Sequence, residues 1–198
     1  MPRITGANIE AHVQAQETAI LDAAARLFVE QGYADTTLGD IADSVGLARN
    51  SLYRYFPDKE HILLRWFVRE TGPLAERTVD ILDADRPPLE RIEQWVDLQL
   101  DYVAEPAHAL GAQLMREVET LSSSARQQIG DGHRRLYEML GHVVGELTRR
   151  PSEAAFTTAL VTAMVAEAAR LSLEQPLRPR DRRRLHGAVR AVLGAGPD

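Results

Sequence analysis

The segment from Thr36 to Lys59, TTLGDIADSVGLARNSLYRYFPDK, constrains the fold more than any other part of the chain. Apolar residues in its first half recur with i, i+3, i+4, i+7 spacing, which predicts a helix with one buried face; they are Leu38, Ile41, Ala42 and Val45. A preceding threonine hydroxyl can cap this helix, and Gly46 can end it in the left-handed conformation. A second apolar pattern begins at Leu47, so the segment predicts a helix-turn-helix.

The second helix of this motif has a polar outer face. An advance of 100° per residue places Ala48, Leu52 and Phe56 on the inner side, and no carboxylate lies between Gly46 and Phe56. Arginine can donate two hydrogen bonds to guanine, and asparagine pairs with adenine in the same way. Tyrosine hydroxyls and a lysine ammonium suit phosphate oxygens. The pattern therefore favours a surface that contacts duplex DNA, and a solvated surface helix is the alternative.

From about Ile20 to Leu64 the chain resembles the tetracycline-repressor (TetR) family of bacterial transcription regulators. The strings that carry the resemblance are Ala23-Ala24-Ala25-Arg26-Leu27-Phe28, Gly32-Tyr33, Ile41-Ala42, Val45-Gly46, and Leu52-Tyr53-Arg54-Tyr55-Phe56 followed by Asp58-Lys59-Glu60. The resemblance implies that the second helix of the motif enters the major groove. It implies base contacts for Arg49, Asn50, Ser51, Tyr53 and Arg54, and phosphate contacts for Thr37, Tyr55 and Lys59.

Three features depart from the family pattern, and the first is that helix one lacks its usual basic residue near the start, where Glu17 and Thr18 precede Ile20. Ala48 stands where the family usually has serine or threonine, so a helix cap and a phosphate contact are missing. Residues 1–60 carry five basic and nine acidic side chains, although DNA-binding domains are usually basic. We therefore expect few phosphate contacts and a shallow salt dependence of binding.

Composition excludes several other classes of protein. The chain has 198 residues, 44% of them hydrophobic, which is enough for a core. It has no cysteine, which excludes disulfides and thiolate metal sites. No continuous apolar run approaches the ~20 residues that span a bilayer, and no secretory signal is apparent at the start, so we expect a cytoplasmic protein. The net charge of −6 argues against indiscriminate adhesion to nucleic acid.

The remaining sequence predicts an all-α architecture. We expect a flexible leader at 1–9, the helix-turn-helix domain at 10–60, a larger helical regulatory and dimerisation domain at 61–193, and a flexible tail at 194–198. The first helix should run from about Ala11 to Gln31, and the fourth should begin at Pro57-Asp58 and bend or break at Gly72-Pro73. Further helices should open at Pro87-Pro88, Pro106, Ser122–Ser124, Pro151 and Pro179.

An alanine-rich helix at about 152–173 is apolar around much of its circumference, so it must be covered on more than one side. The family resemblance implies that it forms a homodimer interface together with the last helix, at about 180–193. The alternative is a central core helix of one protomer. A two-fold dimer would bind a palindromic operator in double-stranded DNA with half-sites about 34–36 Å apart.

The resemblance also implies a small-molecule effector among the middle helices of the second domain. Apolar or amphipathic side chains there are the candidates, and ordinary core packing is the alternative for each of them. These candidates are Trp66, Trp95, Tyr102, His108, Met115, Met139 and Phe156.

Evidence for catalysis is weak. Glu138 and His142 are four residues apart and His133 lies on the same predicted helix, but this falls short of the usual three or four metal ligands. No phosphate-binding glycine loop or nucleophile elbow is present, so we expect no catalysis, cofactor or metal. The expected function is a ligand-responsive DNA-binding transcription regulator, a homodimeric repressor released by its effector. The alternatives are a helical ligand-binding dimer whose helix-turn-helix contacts protein, and a helical enzyme.

Overall fold

The structure, a computed structural model, describes residues 6–104, 111, 114–148 and 150–195. All regular secondary structure in these ranges is helical, which confirms the predicted all-α class. The elements are α1 (Gly6–Gln31), α2 (Leu38–Ser44), α3 (Arg49–Leu52), α4 (Lys59–Leu82), α5 (Pro88–Val103), a 3₁₀ helix (Met115–Thr120), α6 (Ser123–Leu147), α7 (Pro151–Glu174) and α8 (Pro179–Val192). The start of the helix expected at Pro106 lies outside the described residues.

The chain forms two compact units. Unit 1 comprises Met1–Glu70 and Leu110–Arg126, and unit 2 comprises Thr71–Ala109 and Gln127–Asp198. These units reflect packing within a single chain. The functional domain bounds expected from the sequence stay a prediction.

The core of unit 1 begins with α1. Its buried face includes Ile20, Leu21, Ala24 and Phe28, as its apolar spacing predicts. The helix starts at Gly6, inside the expected leader, and ends before Gly32, which has φ +92°. The ring of Tyr33 packs edge-on against Phe28 with centroids 5.0 Å apart, so the predicted glycine stop and its hydrophobic contact are confirmed.

Helix α4 runs without interruption through Gly72 and Pro73, so of the two expected outcomes, a bend or a break, the break is wrong. A proline inside a helix removes one backbone hydrogen bond and costs ~3 kcal/mol or more. Burial of apolar side chains on both sides of Pro73 offsets this cost; they are Ile62, Leu63, Trp66 and Phe67 in unit 1 and Leu82 in unit 2.

In unit 2, α5 packs against α7 and α8, and α7 packs against α8. The largest fully buried side chains of this core are Leu82, Ile92, Val96, Leu100, Leu140 and Val144. At its edge, the buried guanidinium of Arg91 donates to the carbonyl of Leu82 at 2.8 Å and to the Glu146 carboxylate at 2.6 Å. The ion pair lets an arginine lie within an otherwise apolar layer.

Helix α7 has a buried side and an apolar outer side. Thr158, Val161 and Val165 are buried, whereas Phe156 is 69% exposed. The stretch Ser152–Leu173 is long and apolar enough to cross a membrane by length and composition, and 22% of its most apolar window is buried. The expectation that no segment approaches this length therefore needs correction. Charged residues such as Glu167 and Arg170 interrupt the apolar sequence, so a search for one continuous apolar run did not identify this helix.

Candidate nucleic-acid interface

A capping box begins the helix-turn-helix. Thr37 is extended (φ −106°, ψ 161°), and its Oγ1 accepts a hydrogen bond from the Asp40 N–H at 3.2 Å. In return, the Thr37 N–H and hydroxyl donate to Asp40 Oδ2 at 2.8 and 2.7 Å. These hydrogen bonds, first from the Thr37 side chain and then from its backbone, lower the pKa of the Asp40 carboxyl. Thr37 is therefore exposed but already serves as a cap, and its predicted phosphate contact is untested.

Gly46 makes the turn between α2 and α3. Its φ of +66° is in the left-handed region that favours glycine. The Gly46 N–H donates to the carbonyl of Asp43 at 3.2 Å, and the Leu47 N–H donates to the carbonyl of Ala42 at 2.9 Å. These bonds satisfy carbonyls at the end of α2 and direct the chain into α3.

Helix α3 is shorter than its sequence pattern suggests. Regular α-helix ends at Leu52, and bonds of the i+3 type follow, from Arg54 N–H to Ser51 and from Tyr55 N–H to Leu52. Leu52 and Phe56 are buried as predicted, but Ala48 is exposed, so its expected place on the inner face is wrong. Ala48 is an extended N-cap without a side-chain hydrogen bond. This missing cap, together with Pro57, limits the helix to a single turn.

The outer side of the α3 region carries the predicted reading residues. Arg49, Asn50 and Arg54 are exposed, Tyr53 is 45% exposed, and Ser51 and Tyr55 are partly buried. The Arg49 guanidinium lies 3.4 Å from the Tyr53 hydroxyl, as expected for residues one helical turn apart. We call the surface of Arg49, Asn50, Ser51, Tyr53 and Arg54 the reading surface. Its contacts with bases stay a prediction.

Lys59 is turned toward the interior of unit 1. Its ammonium group donates to the carbonyl oxygens of Tyr33, Ala34 (3.0 Å) and Thr36 (3.1 Å). The same nitrogen lies 4.4 Å from the centroid of the Tyr33 ring. Burial, followed by the negative charges of Glu60, Asp58 and Glu117, raises the pKa of Tyr33 to about 12. Nothing in the local sequence pointed to this internal role for Lys59.

Two carboxylates at the start of α4 serve the structure, and the sequence predicted only the first of them, the acidic cap Asp58. Asp58 Oδ1 accepts from the His61 N–H at 2.9 Å and caps the helix. Glu60 accepts from the Ser122 N–H at 2.7 Å and from its hydroxyl at 2.6 Å. The proline-aspartate signal predicts the first contact, whereas Glu60 and Ser122 are 62 residues apart and no local pattern links them.

The candidate effector residues fall into different surroundings. Trp66 is buried in unit 1, whereas Trp95 and Met139 belong to the core of unit 2. Tyr102 is partly buried, and Phe156 is exposed rather than lining a core. His108 and the side chain of Met115 lie outside the described residues. The predicted effector pocket therefore stays a prediction, and exposure makes Phe156 a better candidate for an interface.

The histidines of α6 do not assemble a metal site. His133 Nδ1 lies 2.9 Å from the carbonyl oxygen of Ile129, one turn earlier on the same helix. Among the residues that the structure describes, no group of three or more His, Cys, Asp or Glu side chains could hold a metal ion.

Comparison with known proteins agrees with this geometry. Residues 20–65 match the family described as bacterial regulatory proteins, tetR family. The chain is 33% identical over 129 residues to the HTH-type transcriptional repressor KstR2 of Mycobacterium tuberculosis, covering 64% of this chain and 60% of that protein. It is 27% identical over 112 residues to the fatty acid metabolism regulator protein of Bacillus subtilis, covering 57% of each. The chain thus spans about 60% of the length of these relatives.

The fold is also shared beyond the helix-turn-helix. The solved structure of the ketosteroid transcriptional regulator KstR2 of Mycobacterium tuberculosis superimposes with a TM-score of 0.62. It is 26% identical, and the match covers 90% of this chain and 93% of that one. The motif residues, the family match and the shared fold therefore agree that residues 20–65 form a helix-turn-helix domain of the tetR family of bacterial regulatory proteins.

Proposed function

We propose that this protein is a transcription regulator that binds a palindromic DNA operator as a homodimer and represses transcription until a small-molecule effector releases it. The reading surface carries this proposal. Leu52 and Phe56 are buried behind it, and Arg49, Asn50 and Arg54 are exposed in front. Because Leu52 and Phe56 anchor this single helical turn in the core, it can present these donors to base edges without the entropic cost of ordering a flexible loop.

The chemistry of the reading surface favours direct base readout. Arg49 and Asn50 can each make two-point contacts, with guanine and adenine respectively, and each such contact is worth about 1–3 kcal/mol of discrimination. Tyr55, partly buried beside them, and Thr37, exposed at the start of α2, are proposed to contact phosphates. Phosphate contacts would fix the register in which the base contacts form.

The homodimer is proposed to form through the outer faces of α7 and α8. Phe156 and Leu160 are exposed on α7. On α8, Gly187, Ala188 and Ala191 are exposed, on a different side from the buried Val189. The two helices pack together, so a second copy could cover both faces. Small residues on α8 would allow the partner's helices to approach closely.

Interface formation also explains the apolar character of α7 better than a membrane span does. Glu153, Glu167 and Arg170 lie within Ser152–Leu173, and charged side chains inside a bilayer are costly. Arg170 pairs with Glu167 at 2.7 Å on the helix surface. A regulator of chromosomal genes is accordingly proposed to act in the cytoplasm.

The effector is proposed to be a lipid-derived molecule that binds in the region 61–193. The support comes from the names of relatives, one a ketosteroid transcriptional regulator and another a fatty acid metabolism regulator. Release would follow if the effector binds more tightly to a conformation that fits DNA poorly. Such coupling is typically worth about 1–3 kcal/mol.

Selection from random duplex DNA with the purified protein tests the proposal. We expect enrichment of one palindromic sequence, with Arg49→Ala losing preference at defined positions. Arg77→Ala removes an exposed arginine of α4 in unit 2 and is the matched control that should leave the preference intact. Absence of any enriched sequence at every salt concentration would refute DNA recognition and favour the protein-binding alternative.

A further inference from the structure

We propose that Lys59 is a positioning residue that holds the turn between α1 and α2 against the start of α4, and that it does not donate to a DNA phosphate. The inference rests on the proposed DNA-binding function, because what Lys59 positions is the helix-turn-helix. It assigns the only lysine of the chain a role inside the protein.

The first argument is a count of donors. A lysine ammonium group has three N–H donors and no acceptor. In this structure Lys59 faces three carbonyl oxygens, those of Tyr33, Ala34 and Thr36. A bond to phosphate would take a donor away from one of these oxygens. The bonds to Tyr33 and Thr36 are partly buried, and such carbonyls left without a donor are costly because they have lost water as well.

The second argument is the structure of the turn itself. Thr36 is 1% exposed and its hydroxyl donates to the Gly32 carbonyl at 2.7 Å. Tyr33 is 8% exposed, packs against Phe28, and offers its ring face to the Lys59 ammonium. The turn therefore directs carbonyl dipoles and an aromatic face toward one compact cation. This arrangement stabilises the partly buried charge of Lys59 through carbonyl dipoles and an aromatic ring.

The third argument links the turn to the reading surface. The residue that follows the turn is Thr37, whose capping box sets the start of α2. Helix α2 packs against both α1 and α3. Because Lys59 is the first residue of α4, its three bonds fix the end of α1, the start of α2 and the start of α4 to one another. Loss of these bonds would let α2 and α3 shift relative to α1.

Replacing Lys59 by arginine distinguishes a phosphate ligand from a positioning residue. A guanidinium binds phosphate at least as well as an ammonium, since its planar fork matches two phosphate oxygens. That planar fork cannot direct three hydrogens from one nitrogen at three carbonyls. A phosphate ligand should therefore tolerate Lys59→Arg, whereas the positioning residue should not.

Binding and stability measurements on Lys59→Met and Lys59→Arg test the proposal. We expect both variants to bind every duplex about tenfold more weakly at temperatures where they remain folded, and Tm to fall by about 5 °C. The slope of log K against log salt should be unchanged. The matched control is Arg54→Met, an exposed cation of the reading surface, for which we expect a loss of base preference at one operator position and an unchanged Tm.

Two results would overturn the proposal. A slope shallower by about 0.9 for each protomer in Lys59→Met, with Tm unchanged and Lys59→Arg behaving as wild type, would make Lys59 a phosphate ligand. A lower Tm with unchanged affinity would leave Lys59 with a stabilising role only.

A spectroscopic measurement observes the Lys59 ammonium group directly, first in the free protein and then with operator added. Because the chain has one lysine, ¹⁵N-lysine labelling gives a single side-chain ammonium resonance. We expect this resonance to be protected from exchange in the free protein and to show no coupling to phosphorus when operator is added. An unprotected ammonium in the free protein would refute the inference. Failure of the wild-type protein and all variants to select any duplex would refute the proposed function. If the ammonium group were protected in the same protein, the internal bonds of Lys59 would still be supported.

Discussion

Truncation of Phe156 should weaken the homodimer more than truncation of any other single exposed side chain. A phenylalanine side chain presents roughly 150–250 Å², so the 69% exposure of Phe156 leaves roughly 100–170 Å² for a partner to cover. Two copies contribute to a two-fold interface. At about 25 cal/mol/Å², and with alanine retaining part of the area, Phe156→Ala should cost the dimer roughly 3–6 kcal/mol.

This loss is large enough to measure directly. It corresponds to a rise of at least ~10²-fold in the dimer dissociation constant, which sedimentation over a dilution series can follow. The Tm of the isolated protomer should change little, because Phe156 lies outside the core of unit 2. Operator binding should weaken at low protein concentration, since a single protomer contacts only one half-site.

Val68→Ala is the matched control. Val68 is 58% exposed on α4 within unit 1, so its truncation removes exposed apolar area that is remote in sequence from α7. We expect its dimer dissociation constant to equal that of the wild type. An unchanged constant for Phe156→Ala, or equal effects of both variants, would refute the reasoning that α7 forms the interface.

Three further predictions concern named side chains. Arg49→Ala and Asn50→Ala should each relax base preference at one operator position by about 1–3 kcal/mol, measured by competition between single-base variants. Arg91→Met should lower Tm by roughly 4–10 °C in a melting scan, because it leaves the Leu82 carbonyl and Glu146 without their donor. Asp40→Asn tests the consequence of the lowered pKa of Asp40. The hydrogen bonds of the Asp40 carboxylate stabilise the fold fully at pH values above its pKa in the unfolded chain, about 3.9. This stabilisation is lost as pH falls through the lowered pKa of the folded protein. The Tm difference from wild type should therefore be constant near neutral pH and shrink in acid, and a difference that does not change with pH would contradict it.

Elements governed by local signals could be predicted from the sequence. The end of α1 at Gly32 and the start of α2 at Thr37 follow from the conformational freedom of glycine and from a threonine hydroxyl near the first free N–H groups. The openings of α5, α7 and α8 follow from proline, which fits the first turn of a helix and has no N–H to satisfy there.

Features that depend on distant contacts could not be predicted. The three carbonyls that bind Lys59 lie 23 to 26 residues earlier in the chain. The continuity of α4 through Pro73 depends on core packing on both sides rather than on the helix itself. The shortness of α3 was missed because the helical wheel assumed a regular α-helix up to Phe56, whereas the N–H groups of Arg54 and Tyr55 donate to carbonyls three residues earlier.

Four of the nine acidic side chains in the first 60 residues have structural roles. Asp40 and Asp58 cap helices, Asp22 pairs with Arg69 at 2.6 Å, and Glu60 accepts two hydrogen bonds from Ser122. Each of these carboxylates stabilises unit 1, and none lies on the reading surface. The net charge of these residues is therefore a sum over two sets of groups: carboxylates that stabilise the motif, and cations proposed to contact DNA.

This division of charge has a consequence for specificity. Non-specific affinity for DNA grows with the number of phosphates that a protein neutralises, and the acidic surroundings keep that number small. With Lys59 bonded internally, the cations of residues 36–59 proposed to touch DNA are Arg49 and Arg54. The free energy of hydrogen bonds to base edges depends much less on the net charge of the protein than does its long-range attraction to the phosphate backbone. A reading surface of this kind should therefore bind random DNA weakly and owe most of its operator affinity to base contacts, so discrimination should persist at salt concentrations that abolish non-specific binding.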